Sequence, residues 1–358
     1  MKKLLLLFII FTIPFNLFSS NPLVAFKDGI NWIILAENGD TLLTKTNLKS
    51  IESFSDSVFC ITIENDNKTQ WGIMDMNGKI TIIPEADGIE KFSDGIAVVF
   101  KDTPQEKIDR KYGFINRSGE FLSDGYTYFD VISFREGLAY VWNNKERGYI
   151  NIYGQMTIPL KDGIVGYIFS NGIAAVSNSK LKVGFIDNKG NQVLDFIYNE
   201  PGQYSEGMLK ATFNGQVGYV DLKGNVLIKH EYYGGKKFNE NRVFLAVQGP
   251  GLRYMWALAN KKGEMYTAHK YYMARKMSEG LAAVKTDTYW EYIDKEGQVV
   301  LKNRYRFADS FINNLAWVSR TLENDIGYGG YINKEGKFIY HIKNLEFVFD
   351  LRTNRRVF

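Results

Sequence analysis

Beyond residue 20 the chain alternates short apolar runs with clusters of glycine and small polar residues. Ile96 to Phe100, Leu281 to Lys285, Lys79 to Ile83 and Gln192 to Phe196 are examples of such runs. Short runs bounded by Gly, Asp, Asn and Ser predict strands joined by tight turns. The one longer apolar stretch is Leu4 to Phe18, with Lys2 and Lys3 before it and Ser19, Ser20 and Asn21 after it. Basic, apolar, then small is the order of a secretory signal peptide. Residues 1–20 are therefore expected to be a cleaved leader, and residues 21–358 a mature chain that is periplasmic, cell-surface or secreted. At about 15 residues, interrupted by Pro14, the stretch falls short of the roughly 20 that a spanning helix needs. No second such run follows, so the mature form is expected not to span a membrane. The absence of cysteine near the junction argues against a lipid anchor.

Two short elements recur throughout the mature chain. The first is Trp71-Gly72-Ile73-Met74-Asp75 ending at Gly78. It returns as Tyr112-Gly113-Phe114-Ile115-Asn116 ending at Gly119, and as copies starting at Gly148, Gly184, Gly218 and Gly330. Copies at Trp32, Trp256 and Trp290 keep the tryptophan and lose the glycine, which makes nine in all. The second element is Phe92-Ser93-Asp94-Gly95-Ile96-Ala97, repeated around Gly137, Gly172, Gly207 and Gly280, with Asn241 and Asn314 in the glycine position. Asparagine is the residue that best replaces glycine in a left-handed turn, so one backbone geometry is expected at all of them.

These two elements resemble the bacterial WG (or KWG) repeat family. Its unit carries Trp-Gly-Tyr/Phe-Ile-Asp/Asn with a turn glycine, followed by Phe-Ser-Glu-Gly-Leu-Ala. The resemblance covers residues 22 to about 340 and implies a β-rich repeat protein. It implies no reaction.

Each unit reads as four strands: A after the second element, B containing Trp-Gly, C beyond the Asp-x-x-Gly turn, and a short aromatic D. The glycine of strand B is expected to let an aromatic ring approach the backbone. A unit of about 35 residues cannot bury both its faces alone, so the units must stack. The distance from each hairpin glycine to the next second element is 17 or 18 residues, and from strand B to its turn always 6. The length variation therefore falls in the A–B hairpin, which measures 11 or 12 residues in four units and grows to between 15 and 18 in four others. Insertions confined to one loop type project from one face, which in repeat arrays is often the binding face. The fold class is all-β: nine tandem antiparallel hairpin units, with a propeller-like arrangement favoured because an even strand number returns the chain to the same edge. The alternative is an open β-superhelix, since nine units exceed the usual four to eight blades.

Composition and charge remove several functions. Of 358 residues only one is cysteine and three are histidine, which excludes a disulfide framework and leaves little for a transition-metal site. Cys60 sits in an apolar run and is expected to be a buried thiol. Without Lys2 and Lys3 the net charge is +2, with both signs mixed throughout, so no nucleic-acid partner is expected. Arg352, Arg355 and Arg356 read as a solvated tail. No nucleophile elbow, phosphate loop or dinucleotide fingerprint appears, and neither enzymatic activity nor a cofactor is expected. Asp75, Asn116, Asn151, Asp187, Asp221, Asp294 and Asn333 recur one per unit beside a turn glycine. Turn capping explains them better than calcium, which needs six to eight converging oxygens. Asp94, Glu136, Glu206 and Glu279 in the second element take the same explanation. Trp71, Trp256 and Trp290 recur in register and read as packing between units. Tyr232–Tyr233 and Tyr271–Tyr272 fall outside that register and are the candidates for stacking on a sugar.

The remaining signal lies in the long A–B loops. Candidate binding residues are Asp66 and Lys68; Asp102, Lys107, Asp109 and Arg110; Arg253; and Glu323 and Asp325. Dense mixed charge on one face suits a protein partner. The expected function is an exported, non-enzymatic repeat scaffold that binds a protein at the cell envelope. Carbohydrate binding, or a carbohydrate-active hydrolase, is the alternative.

Overall fold

The computed structural model describes residues 22–28, 30–36, 40–105, 108–321, 327–343, 348–350 and 355–356. The expected leader lies outside them. Among the described residues there are strands and a three-residue 3-10 turn at Pro250–Leu252, and no α-helix. The strands form nine small antiparallel sheets, one per sequence unit. We call them blades one to nine. The second blade is typical, with Leu48–Ser55, Val58–Asn65, Lys68–Asp75 and Ile80–Ile82 lying side by side in chain order. The eighth repeats it with Met273–Ala274, Ala282–Lys285, Trp290–Ile293 and Val299–Tyr305. In the third and seventh blades the fourth strand is reduced to isolated bridges, Ile115 with Phe121 and Ala259 with Met265.

The first blade is assembled from both ends of the chain. Pro22–Asp28 pairs with Asn31–Ala36 on one side and with Val348–Asp350 on the other, in the register Val24 with Asp350, Ala25 with Phe349, Phe26 with Val348. The C-terminal segment thus takes the innermost-strand position that the D strand occupies in every other blade, and this closes the ring. The structure is propeller-like with nine blades, and the open superhelix is set aside. Arg355 and Arg356, read as part of a solvated tail, form a two-residue strand against Phe349 and Asp350, and Arg352 lies outside the described residues.

Each apolar cluster lies between two neighbouring blades. Leu281, Ala283, Trp290 and Tyr292 of the eighth pack against Ala308, Phe311, Ala316 and Val318 of the ninth. Leu209 and Val220 of the sixth meet Phe185 and Tyr198 of the fifth. Fully burying one such side chain contributes roughly 1.5–3 kcal/mol, so the blades are held by their seams. Cys60 is buried in the seam of blades two and three, as expected.

Two expectations change. The strand-B glycine is required mainly by a carbonyl oxygen of the fourth strand: a Cβ would lie 2.8 Å from Thr81 O at Gly72, 2.2 Å from Ile158 O at Gly148 and 2.7 Å from Ile228 O at Gly218. Rings approach as well at Gly184 (Phe196) and Gly218 (His230). The fourth strand bulges opposite Gly184 and Gly218, as in the jump from Val217–Tyr232 to Tyr219–Ile228 pairing, whereas at Gly72 the pairing is regular and the carbonyl approaches without a bulge. The second correction concerns the acidic residues of the second element. Asp75 does cap its own turn, accepting the Asn77 and Lys79 N–H groups at 2.9 Å. Asp94 and its counterparts instead reach the next blade. The Asp94 carboxylate accepts the Gly137 N–H at 2.7 Å; Glu136 accepts those of Asn171 and Gly172, and Glu206 those of Glu240 and Asn241. Asn171, which stands in the acidic position of its unit, donates to Tyr204 O at 2.7 Å. Lysines of the next blade's outer turn complete the clasp, Lys295 on Glu240 at 2.9 Å and Lys334 on Glu279 at 3.3 Å.

The clasp makes a pH prediction. Partial burial alone would raise the Glu240 pKa, but hydrogen bonds from Lys295 and the Gly280 N–H, with the Lys295 charge, outweigh it and hold the carboxyl below its ordinary value. A depressed pKa contributes stability above the unfolded value and loses it as pH falls through the folded one. Melting temperature should therefore fall on acidification below about pH 4.5, near the ordinary glutamate pKa. Glu240→Gln should cost on the order of 1 kcal/mol at neutral pH and flatten that acid slope. A variant melting with the wild-type slope would show that the clasp carries no charge dependence.

Candidate functional site

The innermost strands face the axis of the ring, and their side chains surround a cavity of about 680 Å³. It is lined from four consecutive blades: Pro201, Gln203 and Lys210 of the sixth, Gly235, Lys236 and Lys237 of the seventh, Ala274, Arg275 and Lys276 of the eighth, Asp309, Ser310 and Ile312 of the ninth. Lys237 Nζ donates to Ser170 Oγ of the fifth blade at 3.0 Å, skipping a blade and so crossing part of the axis.

The repeat motif itself positions these residues. The strand-B tyrosine that follows the repeat glycine, or Glu291 where the glycine is lost, is fully buried, and its hydroxyl donates to an innermost-segment carbonyl of the next blade. Tyr219 Oη reaches Lys236 O at 2.6 Å and Tyr292 Oη reaches Asp309 O at 2.8 Å. Phe238 and Met277 then anchor the same segments in the seams. Between these fixed points the sequence places the doubled basic pairs Lys236-Lys237 and Arg275-Lys276 at equivalent positions of two adjacent units.

Five cations thus converge: Lys210, Lys236, Lys237, Arg275 and Lys276. Against them stands Asp309, which pairs with Arg275 at 3.6 Å. Among the described residues no carboxylate lies within ion-pair distance of Lys210, Lys236, Lys237 or Lys276. The crowding shows in their protonation. Burial first, then the Arg275 and Lys210 charges, push Lys236 below the usual lysine pKa. Burial and then the Arg135 charge lower Lys237, with Lys276 adding to the shift and Glu136 and Glu206 opposing it.

The cavity continues into a cleft of about 500 Å³ between the seventh and eighth blades, the two sharing Lys236, Ala274 and Arg275. Arg253, Tyr254, Trp256, Tyr272, Lys285 and Asp287 line its outer part. Lys236 Nζ lies 4.7 Å from the Trp256 ring centre, and Tyr254 meets the same ring edge-on at 6.3 Å. Trp256 therefore serves both seam and cleft, whereas Trp290 is buried in its seam and Trp71 packs at the seam of blades two and three. Alternation along the strand separates the tyrosine pairs: Tyr232 and Tyr271 point inward, Tyr233 is exposed and Tyr272 faces the cleft.

The expected loop residues sit at the tips of hairpins joining second and third strands, on separate blades. Asp66 lies in the second blade's turn at φ +49° with Lys68 exposed just after it. In the third blade Arg110 pairs with Asp102 at 2.5 Å and stacks 3.9 Å over Phe100, while Thr103 holds the Ile108 and Asp109 carbonyls and closes the loop. Asp109 is exposed. Lys107, Glu323 and Asp325 lie outside the described residues. Of the described candidates, Arg253 alone lines the cleft. Sequence reasoning missed the axial lysines because a near-zero total charge hides a local excess. The signal was present in the aligned units, as basic pairs immediately before Phe238 and Met277.

Residues 71–102, 112–145, 184–216, 218–248, 256–290 and 292–320 match the family profile described as WG containing repeat, together more than half of the chain. Each matched segment starts in the third strand of one blade and ends in the second strand of the next, or just beyond it. No curated protein matches the chain significantly. Among solved structures, BamB from Moraxella catarrhalis is 11% identical, with 83% of this chain and 92% of that one covered and a TM-score of 0.39. The uncharacterized protein lmo1340 from Listeria monocytogenes EGD-e is 7% identical, covering 87% and 93% with a TM-score of 0.40. PorZ from Porphyromonas gingivalis is 11% identical, covering 94% of this chain and 59% of that one with a TM-score of 0.30.

Proposed function

The chain belongs to the WG-containing repeat family, and from that premise we propose that it is an exported, non-enzymatic scaffold that holds a protein partner at the cell envelope. The partner docks on the face that carries the second-to-third-strand hairpins. The supporting observation is that the length variation between units and the aromatic cleft beside Arg253 share this face, while the opposite face is occupied by short turns engaged in clasps between blades. Aromatic rings and arginine are enriched at the centres of protein interfaces. The Tyr254, Trp256 and Tyr272 rings also suit a sugar, which makes glycan binding the second reading.

Site-directed cross-linking tests the face. Single cysteines at Lys68 or Asp109 on the hairpin face, and at Lys189 on the opposite face, are expressed in cells and treated with a thiol cross-linker. Buried Cys60, its thiol pushed up to about 12 by burial, stays silent. The expected result is a discrete protein adduct from K68C and D109C and none from K189C, on a chain whose N-terminus begins near residue 21 in the envelope fraction. Adducts from both faces alike, or an unprocessed chain in the cytosol, would overturn the proposal.

A further inference from the structure

The geometry points to the axial cavity as an anion site that takes an acidic peptide segment, a run of glutamate or aspartate side chains supplied by the docked partner. The inference rests on the scaffold reading for the source of the segment. Lys210, Lys236, Lys237 and Lys276 line one open cavity from three adjacent blades with no described carboxylate paired to them. Holding like charges together in a partly buried space costs free energy that an incoming anion recovers. Burial first, and then neighbouring positive charges, lower the pKa values of Lys236 and Lys237, in line with that cost.

The rest of the lining selects the kind of anion. Pro201, Ala274 and Ile312 are apolar, and Gln203 and Ser310 are the uncharged polar side chains that remain. A neutral glycan would leave the charges of the lysines and Arg275 uncompensated. A glutamate side chain brings one carboxylate on an apolar stem, matching lysines set between apolar patches. The cleft beside Trp256 opens from the cavity to the hairpin face and gives the segment a path in.

The test uses the full chain and fluorescein-labelled hexaglutamate, with hexaglutamine as control, followed by fluorescence anisotropy. Hexaglutamate should bind, more weakly as salt rises, and hexaglutamine should not. Lys276→Glu, at an exposed position that folding does not depend on, should weaken binding about tenfold or more, as the loss of one charged contact does. Lys276→Arg should restore it, and thermal melts should show all variants folded. Absence of hexaglutamate binding, or equal binding by K276E, overturns the inference. So does binding of oligogalacturonate in its place, which would assign the cavity to an acidic glycan. Failure here is separate from failure of the scaffold proposal: the cross-links from K68C and D109C do not need the lysines, and hexaglutamate binding does not need the hairpin tips.

Discussion

Gly148→Ala should be among the most damaging single-methyl changes in the chain, costing about 3 kcal/mol or more, whereas Gly172→Ala should cost only about 1 kcal/mol. Both are repeat glycines with positive φ, +150° and +76°. Around Gly172 nothing lies within 4 Å of an added Cβ, so the penalty is that of backbone conformation alone. At Gly148 the new carbon would stand 2.2 Å from Ile158 O, with Met156 Sδ at 2.9 Å and Pro159 Cα at 3.0 Å. Neither strand can yield freely. Tyr149, next to the glycine, is buried and tied by its hydroxyl to Tyr167 O of the fifth blade, and Ile158 is buried in the seam beside it. Relief must therefore come from parting the third and fourth strands, which exposes that seam. Hydrogen exchange should show protection lost in residues 147–159 of G148A and retained there in G172A. Equal losses of stability in the two variants would mean that close approach of the strands is not what the Trp-Gly glycine serves.

That contrast marks how much the sequence could disclose. The repeat period, the four-strand unit, the turn-capping Asp75 and the buried thiol of Cys60 are local or periodic features, and one sequence carries them. The role of Glu206 is different. Its partners, the backbone N–H groups of Glu240 and Asn241, lie a whole unit away, and backbone groups leave no trace in residue identity. Strand-level reading therefore assigned Glu206 to its own turn. The strand-B glycine follows the same logic: the close contact comes from a backbone carbonyl of the fourth strand, which no residue type announces. The axial site needed ring closure before Lys210, Lys236 and Lys276 could be seen as neighbours. The matched family segments straddle blade boundaries, so the repeating unit is a joint between blades. Trp-Gly-Tyr and Phe-Ser-Glu-Gly are read together because they meet across one seam. The candidate residues on the hairpin tips, by contrast, stay on separate blades, and Asp102 and Arg110 satisfy each other.

Ring closure leads to the largest expected effect of all. Removing residues 344–358 should lower the melting temperature more than any point substitution and should turn the protein into a concentration-dependent oligomer. Every other blade receives its innermost strand from the segment that also forms its outer strands. The first blade alone takes it from the far end of the chain, through three residue pairs, Val24 with Asp350, Ala25 with Phe349 and Phe26 with Val348. Without that strand, Pro22–Asp28 presents an unpaired edge, and exposed edges recruit other strands. The ninth blade is then no longer tied to the first through the chain, and the array loses its closing strand. Size-exclusion chromatography with small-angle scattering would read the result as a wider, self-associating particle. A covalent clasp supplies the converse. Paired positions of an antiparallel ladder lie about 4.5–5.5 Å apart at Cα, within disulfide reach, and buried Cys60 cannot compete. Ala25→Cys with Phe349→Cys should therefore form a disulfide that stabilises the oxidised protein by on the order of 4 kcal/mol, because it closes a loop of nearly the whole chain. Reduction should abolish the gain. A truncated chain that stays monomeric with an unchanged melting temperature would show that the ring is held by its seams alone and that closure adds nothing.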